Sequence, residues 1–242
     1  MSAITDLKYI VVGMTICLPS FAMGGVLWDS HGFQSPQYHL GPLTGQDGWE
    51  NLQETSEALC EITFDEYSDE DRQVLFMKGG YGSREEFAWV ERSLVWSENA
   101  ETGRYTLTFR VFPLSASGVS QIPKISLFTE SNVEIVALSN YSGYFVTKDG
   151  APTLMPIIAK KWYEVKIVGD FIERECEITI QQLDAKGAIT LEVRETRELD
   201  RTAAMPPARL EMKGVLVENS DDPFTGGAYL TEMKVESDGE GQ

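Results

Sequence analysis

Histidine, cysteine and positive charge are all scarce in this chain. Its two imidazoles, His31 and His39, both fall in one N-terminal stretch. A Ser-His-Asp nucleophile or a multi-histidine metal centre therefore has almost nothing to draw on. Neither histidine has Asp or Glu at the helical spacing of a ligand pair, so loop or packing roles fit them better. Cysteine occurs three times, at 17, 60 and 176. A chain of this length buries a core without disulfide staples. Cys60 and Cys176 either close a long loop, worth ~4–5 kcal/mol in the chain-entropy model, or stand as two buried thiols on different strands.

Lys and Arg number 20 against 38 Asp and Glu, a formal charge of −18. A field of that sign repels nucleic acid, anionic membranes and acidic polysaccharides. Neutral glycans, cations and other proteins remain as partners. Phosphate chemistry is not encoded either: Lys78-Gly-Gly-Tyr-Gly-Ser83 lacks the Lys-Ser/Thr ending of a phosphate-binding loop and the helix that should follow.

Long apolar runs are missing too. The longest, Tyr9–Leu18, is ten residues, too short to cross a bilayer as a helix. Lys8 precedes it, Pro19 breaks it, and Ser20-Phe21-Ala22 sets small residues at −3 and −1. This three-part pattern, although Asp6 dilutes its charge, predicts an export signal over residues 1–22, hence a secreted or periplasmic protein. Ile16, where a small residue would be needed, argues against a lipoprotein. Residues 23–236 then suit one large domain, and the Gly-rich, acidic residues 237–242 suit a disordered tail.

Sustained helical periodicity is absent, and alternation of apolar and polar residues takes its place. It predicts strands at 58–64, 86–96, 105–114, 124–129, 133–139, 143–147, 162–169, 176–183, 190–195, 208–217 and 228–235. Asp184-Ala-Lys-Gly187 between two such runs reads as a hairpin. Phase can be assigned: Tyr105, Leu107, Phe109 and Val111 share one face, with Thr106, Thr108 and Arg110 on the other. Regular strands without helices predict an all-β sandwich.

Four segments carry a resemblance. Trp28-Asp-Ser-His-Gly-Phe33 is followed by Leu40-Gly-Pro-Leu-Thr-Gly-Gln-Asp-Gly-Trp49, later by Trp162-Tyr-Glu-Val-Lys-Ile-Val-Gly-Asp170, and finally by Gly227-Ala-Tyr-Leu-Thr-Glu-Met-Lys-Val235. In kind and order they resemble the concanavalin A-like (LamG-like) jelly-roll domains of secreted bacterial proteins. The resemblance implies a two-sheet antiparallel jelly-roll β-sandwich. It specifies fold far better than function, since that fold hosts lectins, glycan-binding modules, glycosidases and lyases. Related domains often hold a calcium ion near their termini, and the resemblance makes Asp29 and Glu232 the carboxylates for such a structural calcium; no other cofactor is implied.

Glu61, Thr63 and Glu66 fall near the strand spacing of laminarinase-type glycosidases, but Thr63 stands where the central Asp belongs. Jelly-roll lyases carry a Lys-containing Tyr strand, and Asn140-Tyr-Ser-Gly-Tyr-Phe145 lacks that Lys. Sugar binding needs aromatic planes beside planar polar groups. Trp162 and Tyr144 flanking Arg110, Glu164, Lys166 and Gln181 would supply them; the alternative is aromatics packed under loops and ordinary cross-strand charge pairs. The function expected is a non-catalytic module binding carbohydrate or a surface component. A glycoside hydrolase or lyase with an atypical site on the concave sheet is the alternative, and a purely structural envelope protein a third. Oligomeric state is not legible.

Overall fold

Alternating strands lay the chain out in two antiparallel sheets. The computed structural model describes residues 25–52, 60–68, 71–78, 88–96, 103–114, 122–147, 153–214 and 227–237. The expected export signal, the stretch 79–83 and the tail beyond Ser237 lie outside the described residues.

The strands are β1 (Val26–Asp29), β2 (Gly41–Pro42), β3 (Trp49–Asn51), β4 (Cys60–Phe64), β5 (Gln73–Lys78), β6 (Trp89–Ser93), β7 (Arg104–Pro113) and β8 (Lys124–Phe128). They continue with β9 (Glu134–Tyr141), β10 (Tyr144–Thr147), β11 (Thr153–Pro156), β12 (Tyr163–Asp170), β13 (Glu175–Leu183), β14 (Ile189–Glu198), β15 (Arg209–Lys213) and β16 (Gly227–Ser237). A nine-stranded sheet runs β14-β13-β12-β7-β16-β5-β4-β2, with β1 also pairing β16. A seven-stranded sheet runs β11-β10-β9-β8-β15-β6-β3. Among the described residues no helix is long and apolar enough to cross a membrane.

The predicted phase holds. Tyr105, Leu107, Phe109 and Val111 are buried between the sheets with Tyr163, Val165, Ile167, Ile178 and Ile180. Ile125, Leu127, Leu138, Leu210 and Met212 close the core from the other side. Gly169 is required where β12 meets β7: a Cβ there would stand 2.1 Å from the Tyr105 ring. The hairpin at Asp184 also forms, with the Asp184 N–H donating to Ala188 O at 2.8 Å and Gly187 at φ 80°.

Five strands, β1, β2, β3, β5 and β11, lie outside the alternating runs read from the sequence. β5 buries Val74 outside as well as Leu75 and Met77 inside, so its apolar run carries no period of two.

The Gly-Gln-Asp-Gly-Trp segment turns out to be a structural knot. Gly45, Asp47 and Gly48 all have positive φ (81°, 45° and 76°), a turn that favours glycine and tolerates Asp. It aims the Asp47 carboxylate at Trp28 Nε1 (2.8 Å), the Tyr38 hydroxyl (2.7 Å) and Gln37 Nε2 (2.8 Å), with Arg92 Nη1 at 3.1 Å. Burial opposes the charge on Asp47, yet these donors and the guanidinium hold its carboxyl below the usual range.

Cys60 and Cys176 are free and buried. They sit on β4 and β13, with β12, β7, β16 and β5 between them. Five strand spacings amount to about 24 Å, far outside disulfide reach. Of the two readings left open by sequence, the buried thiols are the one adopted.

Candidate functional site

The outer face of the nine-stranded sheet gathers most of the residues singled out from sequence. Strand register sets Thr231, Arg110, Glu164, Gln181 and Glu192 side by side across β16, β7, β12, β13 and β14. Arg110 Nε and Nη2 both reach Glu164 Oε2 at 2.9 Å, and Gln181 Nε2 donates to Glu192 Oε2 at 2.5 Å. Lys166 stands one row along, exposed, between Thr108 and Thr179.

A bulge in β16 between Thr231 and Lys234 adds a second carboxylate to this row. Glu232 sits there at φ 51°, and its side chain turns toward the arginines, as bulges re-aim side chains. Arg110 Nη1 meets Glu232 Oε2 at 2.9 Å and Arg72 Nη2 meets Oε1 at 2.7 Å. Arg110 is thus forked between two carboxylates, and Glu232 is shared between two guanidiniums.

The next row on the same face is aromatic. Phe112 lies 5.1 Å from Trp162 and stacks on Tyr229 at 6.2 Å and 13°. Tyr67, in the turn after β4, covers both at 5.2 and 6.2 Å. The Asp65 carboxylate holds that turn by accepting the Tyr67 N–H at 2.9 Å. Burial first, then the charges of Glu66 and Asp65, push the Tyr229 hydroxyl up to about 12. Phe112 and Tyr229 are buried, whereas Tyr67 is 48% exposed and Trp162 half-buried.

Tyr67, Trp162, Arg72, Lys160 and Asp184 line an open cleft of about 540 Å³. A second cleft of about 490 Å³, lined by His31, Gln34, Asp71, Arg72 and Glu232, lies on the other side of Arg72. The two share Arg72 as a wall, 6.0 Å from the Trp162 ring.

Tyr144 does not join this group. It is on β10 in the opposite sheet, where Phe145 turns into the core and Tyr144 faces out beside Tyr141. Strand alternation alone cannot say which sheet a strand enters. Asp29 and Glu232 also find separate partners: Asp29 Oδ1 accepts the His31 N–H at 2.6 Å, while Glu232 is neutralised by arginines. Among the described residues no group of three or more His, Cys, Asp or Glu is placed to hold a metal. Glu61 and Thr63 share the outer face, opposite Phe76 and Val74, and Glu66 lies in the turn beyond.

Sequence reasoning missed a second row on the outer face of the seven-stranded sheet. Glu50, Glu91, Glu211 and Ser126 lie side by side across β3, β6, β15 and β8. Arg209 bridges the central pair, with Nε 3.1 Å from Glu91 Oε2 and Nη2 3.6 Å from Glu211 Oε2. Trp89 and Phe128 flank it, under Lys213 (4.2 Å) and Arg209 (4.5 Å). Burial raises the Glu211 carboxyl above its ordinary range, against a Trp89 hydrogen bond and the charges of Arg209, Lys213 and Lys124. No local motif could have signalled this pair, because Glu91 and Glu211 are joined only by the register of distant strands.

No family model and no curated protein matches the sequence. Solved structures do match in shape. A GH131 beta-glucanase catalytic domain from Podospora anserina superposes at TM-score 0.55 and 13% identity, over 88% of this chain and 96% of that one. The CBM2 module of the Lactobacillus casei BL23 phage J-1 evolved Dit gives 0.51 and 11%, over 91% and 98%. A sialidase gives 0.53 and 14% over 89% of this chain, which spans only 18% of that one. The protein is an all-β, two-sheet antiparallel jelly roll of the concanavalin A-like kind.

Proposed function

We propose that this protein is an exported, carbohydrate-binding jelly roll whose ligand is a neutral glycan lying in the cleft beside Trp162. The observation that carries the reading is the meeting of two kinds of surface. The aromatic planes of Tyr67 and Trp162 are continuous with the Arg72, Arg110, Glu164 and Glu232 network. A pyranose offers an apolar face for stacking and a rim of hydroxyls for planar, charge-assisted hydrogen bonds. The overall charge of −18 leaves neutral sugars favoured over acidic ones. The likeness in shape to a beta-glucanase catalytic domain and to a CBM2 module supports a carbohydrate role. The export signal read at residues 1–22 supports action outside the cytoplasm.

Affinity electrophoresis through a panel of neutral polysaccharides tests it. At least one should retard the wild type, and Trp162→Ala should weaken retention about tenfold while the melting temperature stays within a few degrees. If no neutral glycan retards the protein, or if Trp162→Ala binds as well as wild type, the reading fails.

The Glu91–Glu211 row supports a second reading, hydrolysis. Glu91 and Glu211 are directly opposed on adjacent strands, and one guanidinium, Arg209, contacts both carboxylates, the kind of paired carboxyls that glycoside hydrolysis uses. Glu211, raised by burial, would serve as the acid and Glu91 as the nucleophile. Release of reducing ends from a neutral glycan, abolished by Glu91→Gln and by Glu211→Gln, would establish it; release unaffected by both substitutions would dismiss it.

A further inference from the structure

We infer that β14 is a pairing edge for a second copy of this chain. Along their main paths the two sheets end on β14 and β2, and on β11 and β3. Three of these edges are blunted: β2 has two residues including Pro42, β3 has three, and β11 has four and ends on Pro156. Short strands and prolines are how sheets avoid pairing with a neighbour. β14 is the opposite case. It has ten residues, Ile189-Thr-Leu-Glu-Val-Arg-Glu-Thr-Arg-Glu198, without proline, glycine or lysine. Its register against β13 is unbroken from Leu191 to Glu198. Ile189 and Leu191 are 55% and 43% exposed.

The charge of this edge also differs from that of the molecule. β14 carries three Glu and two Arg, a net −1, where the whole chain carries −18. Two copies approaching through β14 therefore meet little of the repulsion that opposes other approaches.

The charges further select a register. A two-fold axis perpendicular to the sheet pairs β14 antiparallel with its copy, and residues that meet must then share a face. Centring the axis on Val193 overlaps nearly the whole strand. Val193 meets its own copy, Thr190 meets Thr196, and Glu192 meets Arg194 twice by symmetry. Centring on Arg194 opposes two guanidiniums, and centring on Glu192 opposes two carboxylates. Centring on Leu191 overlaps only Ile189–Val193 before the Asp184–Gly187 turn intervenes. Among the described residues of one copy, Arg194 makes only long, exposed ion pairs, 3.7 Å to Glu192 and 3.9 Å to Glu177. Such pairs are worth little and re-form with a new partner at small cost.

Sedimentation equilibrium of the full chain tests the inference. The wild type should sediment at twice the chain mass at micromolar concentration. Glu192→Arg and Arg194→Glu, both at exposed positions, should each weaken the dimer about tenfold or more by setting like charges opposite one another. An equimolar mixture of the two variants should recover a dimer, because the all-Arg and all-Glu edges are complementary. A monomeric wild type overturns the inference, as does a dimer indifferent to both substitutions or a mixture that stays monomeric.

Discussion

The carboxylate of Asp47 accepts the indole N–H of Trp28 at 2.8 Å, joining an opening strand to a turn nineteen positions away. Asp47 also takes the Tyr38 hydroxyl and Arg92, so one side chain ties four segments to the core edge. Its removal leaves a guanidinium and two aromatic donors without their acceptor.

Asp47→Ala is expected to destabilise the protein by about 3 kcal/mol, the usual cost of stranding a largely buried charged partner. The pH dependence has a definite sign. A carboxyl held below its unfolded value stabilises above that value and loses the contribution as pH falls through the folded one. Chemical denaturation between pH 6 and pH 2 should show wild type and Asp47→Asn converging toward the acid end. Parallel curves would remove the assignment.

Glu211 works in the opposite direction. Its carboxyl is raised, so the folded state prefers the protonated form, and the contribution is lost as pH rises above the ordinary carboxylate range. Glu211→Gln should therefore gain stability relative to wild type between about pH 4 and pH 7. Melting temperatures across that window provide the check, and a difference that shrinks with rising pH contradicts it.

Gly169 faces the Tyr105 ring too closely for any Cβ. Gly169→Ala should cost about 3 kcal/mol, at the upper end for overpacking. Tyr105→Leu in the same chain should recover part of that loss, because the clash is with the ring. Equilibrium urea denaturation of the single and double variants measures both, and a double variant no more stable than the single one would locate the strain elsewhere.

The thiols of Cys60 and Cys176 should be silent in the native state. Burial pushes both up, Cys176 to about 12, so neither supplies thiolate near neutrality. A thiol-reactive chromophore should leave both unmodified in buffer and label both in denaturant without prior reduction. Dithiothreitol should leave the melting temperature unchanged.

Much of the fold was legible because alternation is enforced by a two-sided environment. β7, β12 and β13 have one face in the core and one in solvent, and their phase follows from that difference. β5 lost its signal when its outer face also became buried, under Tyr229 and the aromatic row. The candidate site was legible in part for the same reason. Arg110, Glu164 and Gln181 share a polar face, and register aligns them. Tyr144 was misplaced because local pattern carries no information about which sheet a strand joins. Glu232 was singled out with Asp29 as a carboxylate for a structural calcium; the bulge that turns it toward Arg110 has no mark in the sequence. Glu91 and Glu211 remained invisible, since nothing short-range distinguishes a paired carboxylate from a solvated one.

The position of β16 has a consequence for how the molecule comes into being. This strand stands between β7 and β5, so among the described residues the half-sheets β14-β13-β12-β7 and β5-β4-β2 are joined only through it, yet it follows every other described strand in the chain. Its ladders with β7 and β1 close loops of well over a hundred residues, the kind of contact that makes folding slow. The two half-sheets therefore cannot be joined before residues 227–237 have been made. Completion of the larger sheet thus waits on the described strand that is made last.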